Sequence, residues 1–277
     1  MSIKQELMNE NINKNKKYVN YVINLTNKYV LPYIESDMSV IKLLDLFINN
    51  FKSDHCKYSK KVLRKKIISH SNRVYKNATI IMSNLELNHN IYFSQEDRFI
   101  MCLSCMFHDI GKVHDDDNHN MYSTIITEHL LSLDSRIERE IIDKILEIIY
   151  FHTKKNKHKN KISLMAKILR DADLFDEECG DSLLYLLLSK IDNEKEDLNK
   201  LKIKEAKQLL SEKVSSDHKN EIESKINTPG GKELYNKLLN ETVEKFYLYI
   251  DYIDDYDEDN YYYHTLKYND CLKIKIK

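Results

Sequence analysis

Glycine and proline are scarce in this chain, four and two in 277 residues. Sheets reverse direction through tight turns that use Gly, Asn-Gly or Pro. The four glycines, Gly111, Gly180, Gly230 and Gly231, are too few for a sandwich, a barrel or a doubly wound sheet. The phosphate-cradling loops GxGxxG and GxxxxGK[ST] are absent as well. Excess charge is also missing: the net charge is −1, so no global field draws the chain to nucleic acid or to a membrane surface. Cysteines number five, Cys56, Cys102, Cys105, Cys179 and Cys271, an odd count at irregular spacing that excludes a disulfide framework. Cys102 and Cys105 form a CxxC, but it lies inside an apolar helical run with no second pair, so both read as packing residues. No apolar run is long enough for a membrane span. The opening MSIKQELMNENINKNKK is too polar for a signal peptide, and a cytoplasmic protein is expected.

What remains is a helical sequence. Hydrophobic residues make up 42%, enough for a real core, so the fold class expected is all-α. Residues 1 to about 17 are polar and read as frayed. Residues 18–31 and 38–51 read as amphipathic helices split near Pro32. A basic stretch from Lys57 to Lys66 leads into a long helix with the stripe Leu63, Ile67, Val74, Ala78 and Ile81. The next helix has Ser94 as its N-cap, with Glu96 and Asp97 in the first turn, and Gly111 as the residue that ends it. His108 and Asp109 then fall in the last turn. Residues 120–132 form another helix, and Ser135 with Glu138 reads as a capping box for a helix ending near His152. The basic loop KKNKHKNK (154–161) follows, then the helix SLMAKILRDADLFDE, a helix near 181–192 and a charged segment. Thr228-Pro229-Gly230-Gly231 breaks the chain before a last amphipathic helix through Leu234, Leu238, Val243, Phe246 and Ile250. The tail is acidic and Tyr-rich, and its closing CLKIKIK alternates with period two, which suits a small C-terminal β-hairpin around Asn269-Asp270.

The polar residues on the apolar stripes carry the chemistry. His70, His108, Asp109, His152 and Asp173 each lie on a core-facing stripe. About one His-Asp dipeptide is expected by chance in this composition, and the chain has two, His108-Asp109 and His114-Asp115. Any one such residue alone is more often a satisfied core histidine, or an aspartate that caps a helix or pairs with an arginine. Taken together, several imidazoles and two carboxylates pointing into one core need a counter-charge, because an uncompensated buried carboxylate is very costly. A divalent cation supplies it. Imidazole and carboxylate together suit Mn, Fe, Co and Ni, and less selectively Mg or Zn.

The stretches SHSNRVYKNA, CMFHDIGK, NHNMYSTIITEHLL, IIYFHTKK and ILRDADLFDE, in that order, resemble the HD phosphohydrolase superfamily, named for its His-Asp doublet. The segment INTPGGKELYNKLLNETVEKF resembles a C-terminal helix of some members. The resemblance covers about residues 58–250 and implies an HD-domain helical bundle at 56–255. An N-terminal helical extension (1–55) and an acidic, Tyr-rich tail (256–277) lie outside it. It implies that His70, His108, Asp109 and Asp173 bind one metal, Asp173 being the second Asp of the DAD run. His119 and His152 fit the places where some members bind a second metal, with Asp109 then shared between the two. His119 also reads as an exposed loop residue, and His152 as a core histidine. Asp109 and Lys112 are the expected catalytic pair, Lys112 touching a phosphate or simply facing the helix dipole. Arg73, Lys154 and Lys155 are candidate substrate contacts. The lysines could instead be a solvated loop, and Arg73 could pair with a buried acid. The activity implied is metal-dependent hydrolysis of a phosphoester or phosphoanhydride in a small molecule, with nucleotides as the usual substrates, using one or two divalent ions. A regulatory nucleotide-binding module without catalysis and a di-iron oxygenase of the same fold are the rival readings. Neither a nucleic-acid partner nor a membrane partner is expected, and the sequence leaves the oligomeric state open.

Overall fold

A computed structural model describes residues 44–45, 48–49, 58–153, 162–191 and 196–254. The helix expected at 18–31, the basic loop 154–161 with Lys154 and Lys155, and the hairpin around Asn269-Asp270 lie outside them. Among the described residues there is no strand, and no helix is long and apolar enough to cross a membrane.

The helices are α1 (Lys60–Arg64), α2 (His70–His89), α3 (Gln95–Phe107), α4 (His119–Ser132), α5 (Arg139–Phe151), α6 (Leu164–Glu178), α7 (Gly180–Ile191), α8 (Glu196–Val214), α9 (Ser216–Glu223) and α10 (Gly231–Asp254). A π-helical turn, Lys65–Ser69, joins α1 to α2, and a 3-10 turn, Ile110–Val113, follows α3. The long helix expected after the basic stretch therefore contains a π-turn, Lys65–Ser69, directly before His70. The charged segment after 192 is helical as α8. It offers the core Ala206 and Leu210, both buried.

Helices α2 and α6 pack side by side at the centre. α3 and α5 lie against them, and α4 packs on α5 and the 3-10 turn. α7, α8 and α10 form a second group that joins through the α6–α7 contact. The buried stripe of α2 is His70, Val74, Ala78, Ile81, Met82 and Leu85, which keeps the predicted 3–4 spacing and adds one imidazole. Leu44 and Ile48, from the helix expected at 38–51, are fully buried in the same hydrophobic cluster.

Two boundary expectations are corrected. Ser135 and Glu138 form no capping box. Asp134 instead closes a turn by accepting from Arg136 N at 3.0 Å, and Glu138 itself is the N-cap of α5 without a side-chain cap bond. The reciprocal box occurs at α3: Ser94 Oγ accepts from Asp97 N at 3.1 Å and Asp97 Oδ2 accepts from Ser94 N at 2.9 Å. Gly111 does not end α3. That helix stops at Phe107 with His108 as its C-cap, and Gly111 lies in the 3-10 turn without a positive φ. It is required there by packing. A Cβ on Gly111 would stand 2.6 Å from Ser123 N and closer still to the carbonyl oxygen of His119, both backbone atoms of α4.

Candidate metal centre

Four imidazoles and two carboxylates converge between α2, α3, α4, α5 and α6. His70 is the first residue of α2, delivered by the π-turn, an irregularity that recurs at functional sites. His108 caps α3, and Asp109 follows in the bridge region of the backbone map at φ −106° and ψ 2°. His119 opens α4, His152 caps α5, and Asp173 projects from the middle of α6.

The tautomers follow from hydrogen bonding. His108 Nδ1 lies 2.7 Å from Cys105 O, His119 Nδ1 2.6 Å from Asp116 O, and His152 Nδ1 2.6 Å from Ile149 O. A carbonyl oxygen only accepts, so each Nδ1 carries a proton and Nε2 is the ring atom left for the centre. These Nε2 atoms face one another or the carboxylates. His119 Nε2 and His152 Nε2 are 3.1 Å apart. His108 Nε2 is buried with no hydrogen-bond partner among the described residues. The nearest carboxylate oxygens lie 3.6 Å (Asp109 Oδ2) and 3.7 Å (Asp173 Oδ1) away. A ring nitrogen that is buried without a partner is costly, and two ring nitrogens that face each other have no acceptor between them. A cation taken up by the Nε2 lone pairs of neutral rings satisfies both, so the donor set fits a divalent metal. Three overlapping triplets satisfy ligand spacing: His70, His108 and Asp109; His108, His152 and Asp173; Asp109, His119 and His152.

Asp109 sits between the groups. Its Oδ2 is 3.5 Å from His70 Nε2 and 3.6 Å from His108 Nε2, while its Oδ1 is 3.4 Å from His119 Nε2. Burial alone would raise its pKa, but His108, Lys112, His70 and His119 hold the carboxyl well below the usual range. Asp173 Oδ1 is 2.9 Å from His70 Nε2, and its carboxyl is held low by His108 and His70, against burial. Burial opposes a charge on His70, but hydrogen bonds to Asp173 and Asp176 and the charge of Asp109 outweigh it and lift the ring to about 10. His152 is pushed down to about 3 by burial and by the neighbouring His108 and His119, so it is neutral and ready to ligate. The Asp173 side chain is 34% exposed while Asp109 and His108 are enclosed, so solvent reaches the cluster past Asp173.

The other expected site residues divide. Lys112 Nζ rests on Asp109 Oδ2, which raises its pKa over the opposing effect of burial. Arg73 makes a two-point bond to the buried Asp176, at 2.8 and 3.0 Å, so of its two readings the structure displays the acid partner. Cys105 is buried and Cys102 half-buried, and burial pushes both thiols up, away from ligand or redox chemistry.

Several supporting residues escape a reading of stripes. Asp176 Oδ2 lies 2.7 Å from His70 Nδ1 and orients that ring, the role a carboxylate behind a ligating histidine plays. Its only signal was its place three residues beyond Asp173. Arg170 Nε donates to Phe151 O at 2.7 Å and its Nη2 to Thr153 O, holding the chain on both sides of His152. Asn120 Nδ2 donates to Tyr150 O at 3.0 Å and ties the start of α4 to the end of α5. Asp171, the first Asp of the DAD run, faces away from the centre. It accepts from Thr228 N at 2.7 Å, Thr228 Oγ1 at 2.6 Å and Asn227 N at 3.0 Å, fastening the break before α10 to α6.

The family model of the HD domain matches residues 67–178, the span from the π-turn to the end of α6. No curated protein and no solved structure matches the chain.

Proposed function

We propose that this chain, a member of the HD superfamily through residues 67–178, hydrolyses a phosphoester or phosphoanhydride bond of a nucleotide with the help of two divalent ions. The observation that carries this reading is the division of Asp109, whose Oδ2 faces His70 and His108 while its Oδ1 faces His119. On this reading His70, His108, Asp109 and Asp173 hold one ion, and His119 and His152 hold the other with Asp109 shared. Mn, Fe, Co and Ni suit such donors, and Mg does so less selectively. When bound, the ions polarise a phosphoryl oxygen and lower the pKa of a water.

The chain's residues supply the rest. Asp173, on the open side of the cluster, marks where the phosphoryl group enters. Lys112 lies over Asp109 at the same place, and its ammonium can turn to a phosphoryl oxygen as negative charge develops there. Arg170 and Asn120 keep His152 and His119 in register, so the two halves of the site do not drift apart. Arg73 acts through Asp176 on His70 rather than on the substrate. Lys154 and Lys155 follow His152 in sequence and are assigned the steering of a polyanion toward the site. A purely regulatory module is disfavoured by the complete donor set.

The test is phosphate and pyrophosphate release over a broad nucleotide panel, with Mn2+, Co2+, Ni2+ and Mg2+ in turn, for wild type and Asp109→Ala. Metal-dependent release that the variant loses supports the proposal. Release retained by Asp109→Ala refutes the site. Failure with every ion, together with retained iron and an optical spectrum that responds to O2, favours the oxygenase.

A further inference from the structure

The loop that carries His119 is held from outside by a residue that the proposed chemistry does not use. Residues 114–118 join the 3-10 turn to α4. Asp115 braces part of this loop internally, accepting from Asp117 N at 2.9 Å and from Asn118 Nδ2 at 2.7 Å. Asp116 faces two ways. Its backbone carbonyl accepts the Nδ1 proton of His119 at 2.6 Å, and its carboxylate accepts from the Tyr58 hydroxyl at 2.7 Å. The Tyr58 ring is half-buried against the core, and the Lys66 ammonium lies 4.6 Å from its centroid, a cation–π distance. Lys66 belongs to the π-turn that ends at Ser69, directly before His70. Tyr58 thus bridges the chain on the His70 side of the centre to the chain on the His119 side.

The placement of Tyr58 depends in turn on what precedes it. It stands next to Ser59, the N-cap of α1. That short helix is clamped by residues of the N-terminal segment: Arg64 pairs with Asp45 and donates to Asn49 Oδ1 at 2.7 Å, and Lys60 donates to Asn49 O at 2.7 Å.

We propose that Tyr58 is a positioning residue for His119: its hydroxyl, acting through Asp116, holds the carbonyl that fixes the His119 ring, and so sets the affinity of the ion position formed by His119, His152 and Asp109. This rests on the two-ion reading above. One residue, Asp116, carries both contacts, so the hydroxyl on its carboxylate also limits the movement of its carbonyl. Without the Tyr58 hydroxyl that hydrogen bond is lost, and the carbonyl is held less firmly against the His119 Nδ1. The N-terminal segment, through α1, then governs one ion position and leaves the other alone.

The experiment is a calorimetric titration of full-length protein with Mn2+, paired with the electron paramagnetic resonance signal of exchange-coupled Mn2+ pairs. It compares wild type, Tyr58→Phe, Asp116→Asn, Asp116→Ala and the double variant Tyr58→Phe/Asp116→Ala. The expected result is two ions in wild type. In Tyr58→Phe one of them binds about 10–100-fold more weakly, with the coupled signal reduced, and the other is unchanged. Asp116→Asn keeps an acceptor and binds like wild type, and the double variant is no weaker than Asp116→Ala alone. Two ions in wild type with both unchanged in Tyr58→Phe overturns the role of Tyr58 and leaves the two-ion reading intact. Equal weakening of both ions overturns the assignment to His119. A single ion in wild type overturns the two-ion reading and this proposal with it.

Discussion

Gly111→Ala is the sharpest probe of how the centre is built, because one methyl group should disturb the backbone that carries His119. Carbon approaches a polar backbone atom to about 3.3 Å. The new Cβ would lie 2.6 Å from Ser123 N, so α4 must retreat by roughly 0.7 Å there, and by more at His119 O, which is nearer still. No rotamer relieves this, since both obstacles are main chain. The retreat also stretches the 2.8 Å bond from Gly111 N to Ser123 Oγ. Overpacking of this kind costs about 1–3 kcal/mol, which in a domain of this size lowers Tm by roughly 3–10 °C. A displacement approaching 1 Å of a ligand also lowers catalysis by about 10²-fold. Gly180→Ala is the control. Nothing lies within 4 Å of its Cβ, but its φ is +70°, so that variant should lose about 1–2 kcal/mol with metal binding untouched. The assay is thermal denaturation with and without Mn2+, alongside the Mn2+ isotherm. A Gly111→Ala protein that melts and binds metal like wild type would refute the packing argument.

Other expectations follow from single contacts. Asp176→Asn removes the charge behind His70 Nδ1 and should weaken the first ion about 10–100-fold by calorimetry; an unchanged isotherm would mean that Asp176 serves Arg73 alone. In the ion-free site His70 titrates near 10, so at pH 8 its ring holds a proton that a metal must displace. Titrations in buffers of different ionisation heat should show about one proton released on filling the first position, and release should fall as pH rises through 10. A heat independent of buffer would contradict this. Leu44→Ala should cost about 2–4 kcal/mol in denaturant unfolding, because Leu44 is fully buried in the common core; a loss under 0.5 kcal/mol would show that the N-terminal segment is an accessory.

The candidate ligands on apolar stripes were legible because each breaks a rule of its own helix. An ionisable residue on a core-facing stripe is anomalous wherever it stands, and His70, His108, Asp109, His152 and Asp173 all stand there. Their supports were not legible, since each makes its contact with a part of the chain far off in sequence. Asp176 looks like one more acid at the end of an acidic helix until α2 is laid beside it. Arg170 reads as an arginine available to a core aspartate, and its two backbone acceptors come into view only when the end of α5 reaches it. Gly111 was recognisable as special, but for the wrong reason: a glycine after an apolar helix suggests a stop, whereas here α4 crosses too closely for any side chain. Ser135 and Glu138 have the spacing of a capping box, yet Asp134 captures the turn first. The charged stretch of α8 turns Ile203, Ala206, Leu209 and Leu210 to the core, an apolar stripe diluted by the charged residues between them, and tertiary contact decides its helix.

The most direct test of the central claim is anomalous diffraction at the manganese edge from crystals of the full chain grown with Mn2+. The two-ion site predicts a peak in coordination with His70, His108, Asp109 and Asp173, and a second beside His119 and His152 that shares Asp109. Saturating Mn2+ with no peak among these six residues, or with peaks only elsewhere on the surface, would contradict it.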